Sequence, residues 1–117
     1  MMEVQVFGTK KCSETRKALR FFKERRVRVH FVDLKERAAS PGELRRFAQK
    51  FGVESLVDRE GRRFRDRGLA SAHRGEAWWL ETLAEDPELL RTPLVRARDR
   101  LTLGCDETAW KDWLAGA

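Results

Sequence analysis

Phe7-Gly8-Thr9-Lys10-Lys11-Cys12-Ser13-Glu14-Thr15-Arg16-Lys17-Ala18 is the stretch whose reading decides the fold. Residues 2–7 run into it as an apolar alternation, with Val4 and Val6 on one face. Residues 13 to about 26 leave it at helical spacing, with Ala18, Leu19 and Phe22 as an apolar stripe widened by Phe21. Strand, loop and helix therefore meet at Cys12. A cysteine attacks as thiolate, so a functional one needs surroundings that lower its pKa. Lys10 and Lys11 before it, Arg16 one turn after it and the positive end of the helix all act in that direction. Ser13 and Thr15 add hydroxyls able to donate to a thiolate or to an oxyanion beside it. Glu14 opposes the effect slightly. The other reading of Cys12, a small buried hydrophobe, suits this cationic, turn-flanked setting less well.

Outward from the junction, Val27-Arg28-Val29-His30-Phe31-Val32 alternates, placing Val27, Val29 and Phe31 opposite Arg28, His30 and Val32. A second strand joined to the first by a helix implies a parallel βαβ unit. His30, the only histidine in the first half, reads as a solvated or hydrogen-bonded side chain on the polar face rather than as a general base. Residues 33–39 form a loop, and Ser40-Pro41-Gly42-Glu43 is a capping box that opens a helix ending at Phe51-Gly52. Residues 58–69, with five arginines among acids and glycines, read as a solvated loop around an anchoring Phe64, anion contact being the lesser reading. Residues 75–83 carry Ala77, Trp78, Leu80 and Leu83 at helical spacing, and a short turn follows Pro87. Pro93 precedes a strand at 94–97; Arg98-Asp99-Arg100 turns it into a second strand at 101–103, and Asp106 caps a last helix bearing Ala109, Trp110, Trp113 and Leu114.

At 117 residues the chain is long enough to bury a core as one domain without disulfides or metals. Two cysteines far apart in sequence make no zinc site, so no metal is expected. No apolar run is long enough to span a membrane, and the cytoplasm is the default location. The net charge of +6, with 38% charged residues, fits anionic partners. Its cations are spread along the chain, so nucleic acid is not the expected partner.

The strand, the Cys12-x-x-Thr15-Arg16-Lys17 junction and the helix after it resemble the glutaredoxin-linked arsenate reductase family with its relatives Spx and YffB. Residues 56–69 are similar to the YffB-like pattern Leu-Leu-Asn-x-x-Gly-x-x-Trp/Tyr-Arg at Gly61, Phe64 and Arg65. Arsenate reductases place an oxyanion-binding arginine after the leucine pair; here Asp58 stands there, with Arg59 next. Leu89-Leu90-Arg91-Thr92-Pro93-Leu94-Val95-Arg96 resembles Leu-Ile-x-Arg-Pro-Ile/Val-Val, with Thr92 at the arginine position and Arg91 and Arg96 on either side. Pro93 would then be the cis-proline beside the active cysteine; without the first motif it reads as an ordinary strand-initiating proline. Leu101-Thr102-Leu103-Gly104-Cys105-Asp106-Glu107 resembles the family's ending, with Cys105 replacing an aromatic or an arginine.

The resemblance implies an α/β, thioredoxin-like fold: a single domain over residues 1–117, with a mixed four-stranded sheet and an inserted helical segment at about 40–90. It implies a thiol oxidoreductase nearer the YffB-like branch than true arsenate reductases, with Cys12 as nucleophile and Thr15 and Arg16 stabilising its charge. Lys11, Ser13, Arg59, Arg91, Pro93 and Arg96 would bind substrate. No bound cofactor is implied; glutathione, another small thiol or a glutaredoxin-type protein would be the co-substrate. The rival is a Spx-like regulator that binds RNA polymerase, and a third reading is a family member without turnover. Thr15 in place of a second cysteine excludes a local Cys-x-x-Cys disulfide. Cys105 is the sole other thiol, either a resolving partner after movement or a half-buried strand-end residue.

Overall fold

A computed structural model describes residues 2–116. The chain forms two compact units, Met1–Arg37 with Thr92–Ala117 and Ala38–Arg91.

The first unit contains β1 (Glu3–Gly8), α1 (Ser13–Glu24), β2 (Arg28–Asp33), β3 (Leu94–Ala97), β4 (Arg100–Leu103) and α5 (Glu107–Ala115). Its sheet runs β2-β1-β3-β4. β1 and β2 are parallel, with Val6 beside Phe31, while β3 is antiparallel to both β1 and β4, pairing Phe7 with Leu94 and Val95 with Thr102. The mixed four-stranded sheet is therefore the one expected. Val4, Val6, Ala18, Phe22, Val95 and Trp110 form the centre of its core. Phe21 and Phe22 pack on Trp110 at centroid distances of 5.3 and 5.0 Å. Burying Trp110 would orphan its indole N–H, and Thr102 Oγ1 accepts it at 2.8 Å. On β2, His30 is exposed as expected, but Val32, assigned to the same face, is buried.

α1 ends two residues before the expected limit. Arg26 adopts φ 58°, its N–H donates to Lys23 O, and the Val27 N–H donates to Phe22 O. This is a Schellman termination. Glycine normally fills the left-handed position, so an arginine there gave the sequence no stop signal.

The second unit contains α2 (Pro41–Phe51), α3 (Arg62–Asp66) and α4 (Glu76–Glu85), with single 3-10 turns at Val53–Leu56, Leu69–Ser71 and Pro87–Leu89. Both halves of the capping box form: Glu43 N–H donates to Ser40 Oγ at 3.1 Å, and Ser40 N–H to Glu43 Oε1 at 2.9 Å. Residues 58–69 are not a plain loop. Phe64 is buried, as the anchoring role requires, but it sits within α3. The segment's charges are engaged locally: Arg63 and Arg67 both donate to Asp86 Oδ2, at 2.8 and 3.1 Å, and Arg62 pairs with Asp66. Residues 56–58 run beside 89–91, joined by Asp58 N–H to Leu89 O and Arg91 N–H to Leu56 O, each 2.8 Å.

Candidate active site

β1 stops at Gly8, and the chain turns before α1, with Cys12 N–H donating to Thr9 O at 3.1 Å. Cys12 is the N-cap residue, extended at φ −77°, ψ 119°, and its carbonyl accepts the first helical bond, from Arg16 N–H. Its thiol does not cap the helix. It donates to the Thr92 carbonyl instead, Sγ to O 3.7 Å, across 80 residues of sequence. The Thr92–Pro93 peptide is cis, and Pro93 O accepts from Gly104 N–H at 2.8 Å. Cys12 and Thr92-Pro93 thus come together as the resemblance implied.

Thr15 lies one turn into α1 and is fully buried, 0% exposed. Its Oγ1 has no hydrogen-bond partner while Cys12 is a thiol. Gly8 makes room for it, since a Cβ at residue 8 would overlap the Thr15 side chain. Burial pushes the Cys12 pKa up. Hydrogen bonds to the ionised sulfur from the Thr15 hydroxyl, the Thr92 side chain and the backbone N–H groups of Thr15 and Glu14 outweigh it, and the thiol titrates below its ordinary value.

The Thr15 hydroxyl and the helix-start N–H groups act as the sequence suggested, while Thr92 is an added donor and the expected cations are not among the causes. Lys10, Lys11 and Arg16 are exposed, and Arg16 Nη1 donates to Lys10 O at 2.8 Å. Arg16 therefore secures the loop before Cys12. Short-range donors stabilise the sulfur because, unlike mobile cations on long stems in water, they lose little to solvent screening. Thr92, which occupies the position of an expected arginine, is one of those donors. Its role could not be read from sequence, because only the packing of β3 against β1 brings it to Cys12.

Ser13 is exposed at the first position of α1. Arg59 and Arg91 belong to the second unit, where Arg59 pairs with Glu54 at 3.7 Å and lies over the Phe64 ring. Arg96 is not brought to Cys12. It sits opposite Gln5 midway along β1, and its Nε donates to Arg98 O at 2.6 Å, toward the hairpin end. A recess of about 480 Å³ also lies at that end, lined by Met2, Ala97, Arg98, Arg100 and Trp113, and includes neither Cys12 nor its partners. Glu14, read from sequence only as a mild opposing charge, accepts the Cys105 N–H at 3.4 Å and ties the β4–α5 turn to the start of α1. Cys105 is half-buried, and burial followed by the Glu107 and Glu14 carboxylates pushes its thiol up. The two thiols are thus shifted in opposite directions.

Residues 7–113 match the model of the ArsC family, from the end of β1 into α5. The chain belongs to the ArsC family. The chain is 25% identical to the uncharacterized protein YusI of Bacillus subtilis over 115 residues, covering 95% of this chain and 98% of that protein. An arsenate reductase of Neisseria meningitidis is 25% identical over 107 residues, covering 89% and 92%. The solved structure of a YffB protein superimposes with a TM-score of 0.84 at 25% identity, covering 93% of this chain and 96% of that one. The ArsC fold of this chain is thioredoxin-like. Among the described residues, no group of His, Cys, Asp and Glu could hold a metal ion, and no helix is long and apolar enough to cross a membrane.

Proposed function

We propose that this ArsC-family protein is a thiol oxidoreductase with Cys12 as its single nucleophile. The observation that carries the reading is the placement of a half-buried Cys12 sulfur at the start of α1, against the Thr92 carbonyl of a cis Thr92–Pro93 peptide and beside an otherwise unpartnered Thr15 hydroxyl, a setting that lowers its pKa. The Cys12 thiolate attacks one sulfur of a disulfide substrate; a Cys12–substrate disulfide forms and the other sulfur leaves as thiolate. An external thiol, glutathione or a carrier protein, then attacks the substrate-side sulfur and releases Cys12 as thiolate. Thr15, Thr92 and the amides of Glu14 and Thr15 stabilise the charge that Cys12 carries before attack and regains on release. Pro93 walls the side where the second sulfur docks, and Lys11, Ser13 and Arg16 stand exposed at the mouth. Arsenate, on which the Neisseria relative's name says it acts, is the alternative substrate for the same thiolate.

Thiolate absorbance titration tests the reading. The Cys12 midpoint should fall below the free-cysteine value of about 8.5, and the transition should vanish in Cys12→Ser. Glutathione-coupled turnover of a mixed disulfide should vanish with it. A midpoint at or above the free value, with no turnover, would remove the proposal. Arsenate supplied in the same assay decides whether the oxyanion is accepted.

A further inference from the structure

The two compact units differ sharply in charge. Residues 38–91 carry ten cationic and ten acidic side chains, whereas residues 1–37 and 92–117 carry fifteen cationic against nine acidic, and so hold the entire net charge of +6. The use of the cations differs too. In the second unit Arg59, Arg62, Arg63 and Arg67 are ion-paired. In the first, Lys10, Lys11, Lys17, Arg20 and Lys23 are exposed and, among the described residues, none has an acidic partner within ion-pair distance.

These cations are ordered in space. α1 turns Ala18 and Phe22 into the core, and at 100° per residue Arg16, Lys17, Arg20 and Lys23 share the opposite, exposed face. Along α1 they make a basic stripe about 11 Å long, with Cys12 and the Lys10-Lys11 turn before its N-terminal end.

We propose that this stripe docks an acidic patch on a redox protein that exchanges a sulfur with Cys12; the inference rests on the thiol chemistry proposed above. A partner covering the stripe in register brings the end of its own patch to the Cys12 sulfur, so charge complementarity selects the partner and aims it. Electrostatic steering of this kind raises encounter rates by about 10 to 1,000-fold and weakens with salt. Nucleic acid fits less well. Phe21 and Phe22, the helix's aromatics, are buried and offer no base a stacking surface.

Two short peptides with equal sequence around one cysteine, one with an acidic tail and one with a basic tail, serve as probes, each activated as a disulfide with thionitrobenzoate. The Cys12 thiolate attacks the peptide sulfur, the Cys12–peptide disulfide forms, and thionitrobenzoate leaves as the coloured anion that reports the rate. At low ionic strength the acidic peptide should react at least about tenfold faster than the basic one, with the gap closing in high salt. Lys17→Gln/Arg20→Gln/Lys23→Gln should lose most of the preference. Arg28→Gln/Arg98→Asn/Arg100→Gln, with the same loss of charge toward the hairpin end, should keep it. The rate with an uncharged activated disulfide should be the same in all three proteins, which also reports an intact fold. Equal rates for the two peptides, or a preference surviving the α1 substitutions, overturns the proposal. So does oligonucleotide binding that the α1 substitutions abolish without any peptide preference. Failure of Cys12 to react with the uncharged disulfide would instead count against the thiol chemistry. In that event anisotropy binding of the acidic peptide to Cys12→Ser still decides the surface.

Discussion

Thr15 Oγ1 is buried without a partner while Cys12 is protonated, a condition that costs a protein about 1–3 kcal/mol. The same hydroxyl is a donor to the Cys12 thiolate. Stability and reactivity therefore pull in opposite directions at one side chain. Thr15→Val, which keeps the shape and removes the hydroxyl, should raise unfolding stability by about 1 kcal/mol in urea melts. It should also slow alkylation of Cys12 at neutral pH by about tenfold, the change in thiolate population that a hydrogen bond of about 1.4 kcal/mol supports. Thr15→Ser should retain the reactivity. Unchanged alkylation in the valine protein would show that the hydroxyl does not serve the sulfur. A pH dependence follows from the same group. The folded pKa of Cys12 lies below its unfolded value, so the thiolate stabilises the fold above the unfolded pKa and that stabilisation disappears as pH falls through the folded pKa. The stability of the native protein relative to Cys12→Ser should accordingly grow as pH rises between the two values, near and below about 8.5. The raised Cys105 thiol is common to both proteins and cancels from the difference. A gap that is flat or shrinks with rising pH would contradict the assignment.

At the level of elements, local chemistry and long-range packing separate cleanly. Ser40-Pro41-Gly42-Glu43 announces α2 because all the groups that satisfy its start lie within four residues, and both capping bonds form. Ser40→Ala should cost about 1 kcal/mol in thermal or urea unfolding, and a cost near zero would mean that water replaces the cap. The end of α1 was not legible, since its left-handed residue is Arg26 and not glycine. Arg26→Gly should stabilise the fold by about 0.5–1 kcal/mol: relief of the left-handed backbone, worth about 1–2 kcal/mol, exceeds the added freedom of the unfolded chain, about 0.4–1 kcal/mol. A loss of stability would mean that the arginine side chain does more than occupy the turn. α3 escaped notice for a related reason. It is five residues long with no side-chain cap, and only the burial of Phe64 reveals it. Cys12 and Pro93 could be read as a pair only through the family resemblance, since Pro93 by itself reads as an ordinary strand-initiating proline. Of the donors that lower the Cys12 pKa, Thr15 and the helix-start amides were legible and Thr92 was not, since it reaches the sulfur only through the sheet; Gly8 matters only because Thr15 packs against it.

For the whole molecule, a net charge of +6 looks evenly spread along the sequence, and the partition into a charge-balanced and a basic unit emerges only once the chain is folded. That partition has a cost. Like charges on one helix face repel, and Arg16 and Arg20 are spaced i, i+4, an arrangement unfavourable by a few tenths of a kcal/mol. The ion pairs of the second unit respond differently to salt. Arg63 and Arg67 contact Asp86 at 2.8 and 3.1 Å, and the Asp86 side chain is only 12% exposed. Repulsion along the α1 face acts through solvent, over separations comparable with the Debye length of about 10 Å at 0.1 M. Added salt should therefore screen the repulsion more than the attraction. The melting temperature should rise by a few degrees between about 10 mM and 200 mM sodium chloride, and most of that rise should disappear in Lys17→Gln/Arg20→Gln/Lys23→Gln, which no longer has the repulsion to screen. A melting temperature that falls with salt in the native protein would mean that the Asp86 pairs dominate and that the exposed cations of α1 cost the fold nothing.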